Sequence, residues 1–172
     1  MRIDHPIPPL FAPTSRTLIL GSFPSVKSRE AQFFYGHPQN RFWRVLAALC
    51  EAEVPTTVED KKRLVLGHGF ALWDVIASCE IVGSSDSSIR DVVANDLTPI
   101  LAGSQVTRIF CNGTTAYRLY MRYCREATGI AAICLPSTSP ANAAWSMERL
   151  LAAWQTIRVG ENDEERMQNN AD

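Results

Sequence analysis

Residues 21–46, GSFPSVKSREAQFFYGHPQNRFWRVL, gather Lys27, Arg29, Arg41 and Arg44 with the rings of Phe33, Phe34 and Tyr35 and the hydroxyls of Ser25 and Ser28. Glu30 alone offsets these cations. Near the far end LPSTSPAN, residues 135–142, again sets proline among small hydroxyl residues, Ser137, Thr138 and Ser139. Hydroxyls and backbone amides on loops stiffened by proline can hold phosphate oxygens. Cations neutralise the phosphate, and a ring such as Tyr35 stacks a base for about 1–3 kcal/mol. Either loop taken alone also reads as an ordinary turn. Phe33, Phe34 and Phe42 have the further alternative of packing inside, which for Phe42 is favoured because it opens a helical stripe. Two such loops with cations and rings beside them point to a phosphodiester ligand.

The apolar pattern shows what positions these loops. TLILG (17–21), FALWDVI (70–76), VTRIFCNG (106–113) and IAAICLPS (130–137) read as buried strands. Three sets recur at helical spacing: Phe42, Val45, Leu46 and Leu49; Ala116, Leu119, Tyr120 and Tyr123; Met147, Leu150, Leu151 and Trp154. Thr57 before Asp60 reads as the cap of a helix over 61–66 that GHG ends. Asn95 or Asp96 caps a short helix over 97–102, and Gly129 closes the helix before the last strand. Strands alternating with helices imply a three-layer α/β/α sandwich with a central four-stranded parallel sheet. Ligands of such sheets lie beyond the carboxyl ends of the strands. The exits are then GSFPS, DVIASCEIVGSSDSS, CNGTT and PSTSPAN, carrying Asp74, Ser87, Ser88 and Asn112 as well as the loops above.

The chain of 172 residues, 46% hydrophobic and 20% charged, is expected to form one domain over 1–159 with a disordered acidic tail at 160–172. No apolar run is long enough for a membrane span, so the protein is expected in the cytoplasm. Five scattered cysteines without a CxxC pair, and three histidines, predict free thiols and neither a metal nor a disulfide frame. A net charge of −1 excludes a general coat for nucleic acid but not a local basic patch. No GxGxxG or GxxxxGK[ST] is present, so no nucleotide cofactor is expected. His5, His37 and His68 read as surface or turn residues.

Together LILGSFPS, FYGHPQNRFWRVL and LPSTSPAN resemble the motifs of the uracil-DNA glycosylase superfamily, most of all its sixth family, described as hypoxanthine-DNA glycosylases. The resemblance runs from about Ile7 to Ile157. It implies an enzyme that binds double-stranded DNA containing a damaged base, flips that base into a pocket and replaces it by water at C1′, without metal; a monomer is expected. Many members carry an Asp or Asn where Phe23 stands, and the best-known ones a His where Ser137 stands. The resemblance instead gives the polar catalytic role to Asn40, holding water or donating to the departing base, with Ser137 as a weaker donor. It implies that Tyr35 stacks on the base, that the Phe23 amide meets a base carbonyl, and that Asn112, Ser87 and Ser88 help line the pocket. Asp74 would read the base edge or cap the following turn. Ser25, Lys27, Ser28 and Arg41 would meet phosphates, while Ser139, Pro140, Ala141 and Asn142 would enter the minor groove.

The expected activity is removal of hypoxanthine, with uracil a second substrate. Two rivals remain on sequence grounds: a lesion-binding protein without catalysis, and a hydrolase of free nucleosides, which the SPAN loop disfavours.

Overall fold

The computed structural model describes residues 2–158; the acidic stretch 160–172 lies outside the described residues. The chain opens with β1 (Arg2–Asp4), then β2 (Thr17–Gly21), α1 (Val26–Ala31) and α2 (Phe42–Leu49). It continues through α3 (Val58–Gly67), β3 (Phe70–Asp74), β4 (Ile76–Glu80), β5 (Arg90–Ala94) and α4 (Thr98–Ala102). After β6 (Arg108–Asn112) come α5 (Thr114–Tyr123), α6 (Arg125–Thr128), β7 (Ala132–Leu135) and α7 (Met147–Trp154).

The central sheet is parallel throughout, in the order β3-β2-β6-β7. Side chains alternate across it, as a strand period of two requires. Ile19, Leu72, Phe110 and Leu135 face a core shared with Phe42, Leu46, Leu64 and Trp154 of α2, α3 and α7. Leu18, Leu20, Ala71 and Ile109 face Ile100, Ala116 and Tyr120 of α4 and α5 on the other side. This is the three-layer sandwich that the aliphatic runs predict. Among the described residues no helix is long and apolar enough to cross a membrane.

Local capping follows the sequence in most places. Thr57 Oγ1 accepts from the Asp60 amide at 3.1 Å and Ser146 Oγ from the Arg149 amide at 3.2 Å. Gly129 ends α6 in the left-handed region at φ 71°. The N-cap position of α4 falls on Leu97, without a side-chain cap, and Asp96 supports the helix start from one residue earlier, accepting from the Thr98 amide and hydroxyl at 3.0 and 2.7 Å.

Residues 74–88 depart from the expectation of one long exit loop. Ile76–Glu80 pairs antiparallel with both Arg2–Asp4 and Arg90–Ala94, making a second sheet of three strands. Only Ile76 and Cys79 of β4 are buried, so the strand has no aliphatic run to announce it, and one of its two partners, β1, lies far back in the chain. Asn95 serves this change of sheet. Its side-chain amide donates to the Asp74 and Ile76 carbonyls at 2.9 and 3.2 Å, pinning the backbone where it leaves β3.

Candidate active site at the strand ends

A cavity of about 400 Å³ opens at the carboxyl ends of β2, β3 and β6, within the size range of small-molecule sites. The loops after β2 and β7 and the turn at 84–87 wall it. The bare Cα of Gly21 makes room for Asp74, because a Cβ there would collide with Asp74 Oδ1 and displace the carboxylate. Gly113, at φ 99°, lets the exit of β6 pass close under Ser137.

The loop of residues 21–46 is tied down from within. Ser25 caps α1, accepting from the Ser28 amide at 3.1 Å, and donates to Ser28 Oγ at 3.0 Å. Ser28 Oγ also accepts from the Gly36 amide at 2.9 Å. Ser25 and Ser28 both border the cavity, but Ser28 is buried and its hydroxyl is engaged by Ser25 and Gly36, so its expected phosphate contact is corrected to an internal tether. Lys27 is exposed and lies 3.7 Å from Glu30, away from the cavity wall. Arg29 covers the Phe23 ring at 5.6 Å and donates to the Gly83 carbonyl at 2.9 Å.

Phe23 and Tyr35 line the cavity. Tyr35 holds φ 52°, in the left-handed region that a bulky residue rarely occupies, and stacks on Phe42 with centroids 4.0 Å apart. Its hydroxyl is buried without a hydrogen-bond partner. Burial, then the charge of Asp74, pushes this phenol well above its ordinary pKa, and the nearby Asn112 amide offsets part of the shift. A strained backbone carrying an unsatisfied buried hydroxyl is a mark of a binding site.

Asp74 is buried at the cavity floor. Its Oδ2 lies 2.7 Å from His5 Nε2, and the side chains are 6% and 3% exposed. His5, read from sequence as a surface or turn residue, is thus an internal partner. Its backbone amide bonds to the Ala77 carbonyl at 2.8 Å, continuing the β1–β4 pairing that carries it over the end of β3.

Asn40 faces the same cavity with its amide oriented by its neighbours. Oδ1 accepts from the Phe42 backbone amide at 2.9 Å and from Thr138 Oγ1 at 2.8 Å. Because an N–H can only donate, the oxygen is identified and both its lone pairs are used. Nδ2 is therefore the group left for a ligand. Thr138, fully buried, accepts in turn from Asn112 Nδ2 at 2.9 Å, while its backbone amide donates to Asn112 Oδ1 at 3.0 Å. Its hydroxyl is thus unavailable to phosphate, which corrects the reading of that residue.

The loop after β7 is held by side chains as well as turns. Ser137 Oγ accepts from the Ser139 amide at 3.1 Å and Ser139 Oγ from the Ala141 amide at 3.2 Å. Asn142 Nδ2 donates to the Ser137 carbonyl at 2.9 Å. Arg41, expected on phosphate, forks its guanidinium onto the carbonyls of Asn142 and Trp145. Ser137, Ser139, Pro140 and exposed Ala141 line the cavity mouth.

On the turn at 84–87, Ser87 lines the cavity and shares a 2.8 Å hydrogen bond with Ser85. Ser88, expected beside it, instead pins the turn from outside the wall, accepting from the Val82 amide at 2.9 Å and donating to the Ser85 carbonyl at 2.7 Å. Asp86 is the residue that the sequence reading passed over. It lines the cavity and accepts from Ser22 Oγ at 3.0 Å. Although it keeps an open face, loss of water around its carboxyl raises its pKa, against the lowering effect of Ser22. The one signal for it was an acid set among the serines of GSSDSS.

Comparison with known proteins agrees with this geometry. Residues 8–158 match the uracil DNA glycosylase superfamily. A hypoxanthine DNA glycosylase of Methanosarcina acetivorans is 32% identical over 159 residues, 90% of this chain and 98% of that protein. One from Methanosarcina barkeri is 29% identical over 92 residues, 53% of this chain and 58% of that protein. The solution NMR structure of a candidate uracil DNA glycosylase from Methanosarcina acetivorans superposes with a TM-score of 0.76 at 29% identity, over 92% of this chain and 99% of that one.

Proposed function

Because the chain belongs to the uracil DNA glycosylase superfamily, we propose that this DNA glycosylase hydrolyses the N-glycosidic bond of a deaminated base, hypoxanthine first and uracil second. It acts on duplex DNA as a monomer in the cytoplasm, flips the damaged nucleotide into the cavity and leaves an abasic site. The observation that carries the reading is the amide of Asn40, whose oxygen is fully committed and whose nitrogen is left at a base-sized cavity beside the unpartnered Tyr35 hydroxyl.

Glycosidic cleavage is largely dissociative, so the C1′–N bond electrons leave with the base while positive charge grows on the sugar. Fixed dipoles aimed at the developing charge carry most of such catalysis. Asn40 Nδ2 donates to the departing base, and Ser137 adds a second, weaker donor. Neither Phe23 nor the committed Asn40 oxygen can hold the attacking water, and that role falls to the Asp86 carboxylate. The water oxygen bonds to C1′ and its proton passes through Asp86 to solvent. Tyr35 and Phe23 flank the base, with Asn112 and Ser87 completing the wall. Ser25 and Lys27 meet the phosphates, and Ser139, Pro140, Ala141 and Asn142 occupy the minor groove.

Duplexes carrying hypoxanthine, uracil or normal bases, incubated and then heated in alkali, test this directly. Strand breaks at hypoxanthine are expected, and Asn40→Ala should lower their single-turnover rate at least ~100-fold with duplex affinity changed only a few-fold. Binding without breaks at any lesion would establish a lesion-binding protein instead. Faster release of base from free deoxyinosine would establish a nucleoside hydrolase.

A further inference from the structure

Beside the loop after β7 lies a second cavity, of about 430 Å³. Asp86, Ser137, Ser139 and Ala141 border both cavities, so this loop and the Asp86 carboxylate form the partition between them. Among the described residues no hydrogen bond joins Asp86 to Ser137, Ser139 or Ala141. Asp86 accepts from Ser22 at 3.0 Å, while the Ser137 and Ser139 hydroxyls accept from amides of their own loop. The partition is therefore not tied shut at Asp86. On its other side the second cavity reaches the end of β7, the edge strand of the central sheet. Cys134 of that strand and Thr114, the first residue of α5, are exposed and border the second cavity but not the first.

We propose that the second cavity is the water and proton route of the reaction. This deepens the glycosylase reading above, with Asp86 as the group that holds the water, and rests on it. A flipped nucleotide fills the first cavity and its duplex lies over the mouth, which expels the water there. Hydrolysis nevertheless consumes one water in each turnover and frees a proton. Water entering from the second cavity meets the Asp86 carboxylate without passing the base. A confined water needs about two to four polar partners. Asp86 accepts from it, the Ser139 hydroxyl donates to it, since the Ala141 amide occupies only its oxygen, and Thr114 supplies a third partner at the entrance. The water oxygen bonds to C1′ as the C1′–N electron pair leaves with the base. One water proton passes to Asp86 and on to water in the second cavity, the other stays on the new hydroxyl, and the base anion takes a proton from solvent. Asp86 is then ionised for the next turnover.

Cys134 offers a place for a plug, because it is exposed and borders the second cavity alone. Cys79, Cys111 and Cys124 are buried, and Cys134→Ala treated in parallel accounts for Cys50. The full chain is labelled with methyl or benzyl methanethiosulfonate. Single-turnover hypoxanthine release, duplex affinity and the fluorescence of a 2-aminopurine beside the lesion, which reports eversion, are then measured. The benzylthio adduct should lower release at least ~10-fold, a part of what positioned proton transfer supplies, and the methylthio adduct far less. Affinity and eversion should not change, and a thiol reductant should restore the rate. Thr114→Phe narrows the cavity from its other wall and should act likewise, which keeps the test decisive if the adduct does not fold. Release at the unmodified rate by either a quantitative benzylthio adduct or folded Thr114→Phe overturns the proposal while leaving the glycosylase intact. Lost affinity or eversion makes the cavity a DNA contact and overturns it too. Release of no base from any duplex by the unmodified enzyme overturns the glycosylase reading and this proposal with it.

Discussion

Thr138 Oγ1 donates to Asn40 Oδ1 at 2.8 Å while accepting from Asn112 Nδ2 at 2.9 Å. One buried hydroxyl therefore links the end of β6 to the start of α2 and, with the Phe42 amide, sets which way the Asn40 amide faces. Thr138→Val keeps the shape and removes both bonds, leaving the Asn40 oxygen held by the Phe42 amide alone and less firmly turned away from the cavity. The hypoxanthine excision rate should fall about 10–100-fold with substrate affinity nearly unchanged, and Thr138→Ser should recover most of it. Equal rates for Thr138→Val and wild type in single-turnover assays would show that Asn40 needs no such support.

Arg41 occupies two carbonyls of the loop after β7, yet those acceptors carry no net charge, so the guanidinium keeps its field for a phosphate brought near it. The two effects separate by substitution, because lysine keeps the charge but lacks the planar fork. Arg41→Ala should weaken duplex binding at every lesion and reduce the slope of log affinity against log salt by about one. Arg41→Lys should restore that slope and leave excision impaired. Full recovery of excision by lysine would make Arg41 a phosphate contact alone.

The same contrast explains what was legible beforehand. The four parallel strands are continuous aliphatic runs, and α2, α5 and α7 carry complete apolar stripes, so local pattern sufficed for the sandwich. Hydroxyls on proline-rich loops suit phosphate, so the sequence points to Ser28 and Thr138, and nothing local reveals that each is buried under its own loop. His5 escaped for a topological reason: its burial depends on β1 pairing with β4, across some seventy residues of chain. Asp86 reaches the cavity only because Ser22, Ser84 and Arg29 bind its turn to the loop after β2.

Burial raises the Cys111 thiol to about 12 and the Cys124 thiol to about 11. Above the ordinary thiol value of about 8.5 the unfolded chain releases these protons and the native chain retains them. The native state then binds more protons, so stability is complete below that value and declines as pH rises toward about 12. The slope is at most about 1.4 kcal/mol per pH unit for each thiol. Urea midpoints should be level from pH 6.5 to 8 and fall from 9 to 10.5, less steeply in Cys111→Ala. A level midpoint through pH 10.5 would mean that the thiols ionise freely in the folded protein.

The role proposed for Asp86 predicts an acid limb in the pH profile. A carboxylate that holds the attacking water must be ionised, and loss of hydration raises its pKa above the usual aspartate value despite the Ser22 hydrogen bond. Excision should therefore fall on the acid side at a pH higher than an unperturbed aspartate would set. Ser22→Ala removes the stabilising donor and should move that limb further up, whereas Asp86→Asn should abolish the limb and lower the plateau rate about 100-fold. Single-turnover rates from pH 4.5 to 8 resolve all three shapes. An acid limb that survives in Asp86→Asn assigns the titration to another group and takes the water-holding role from this residue.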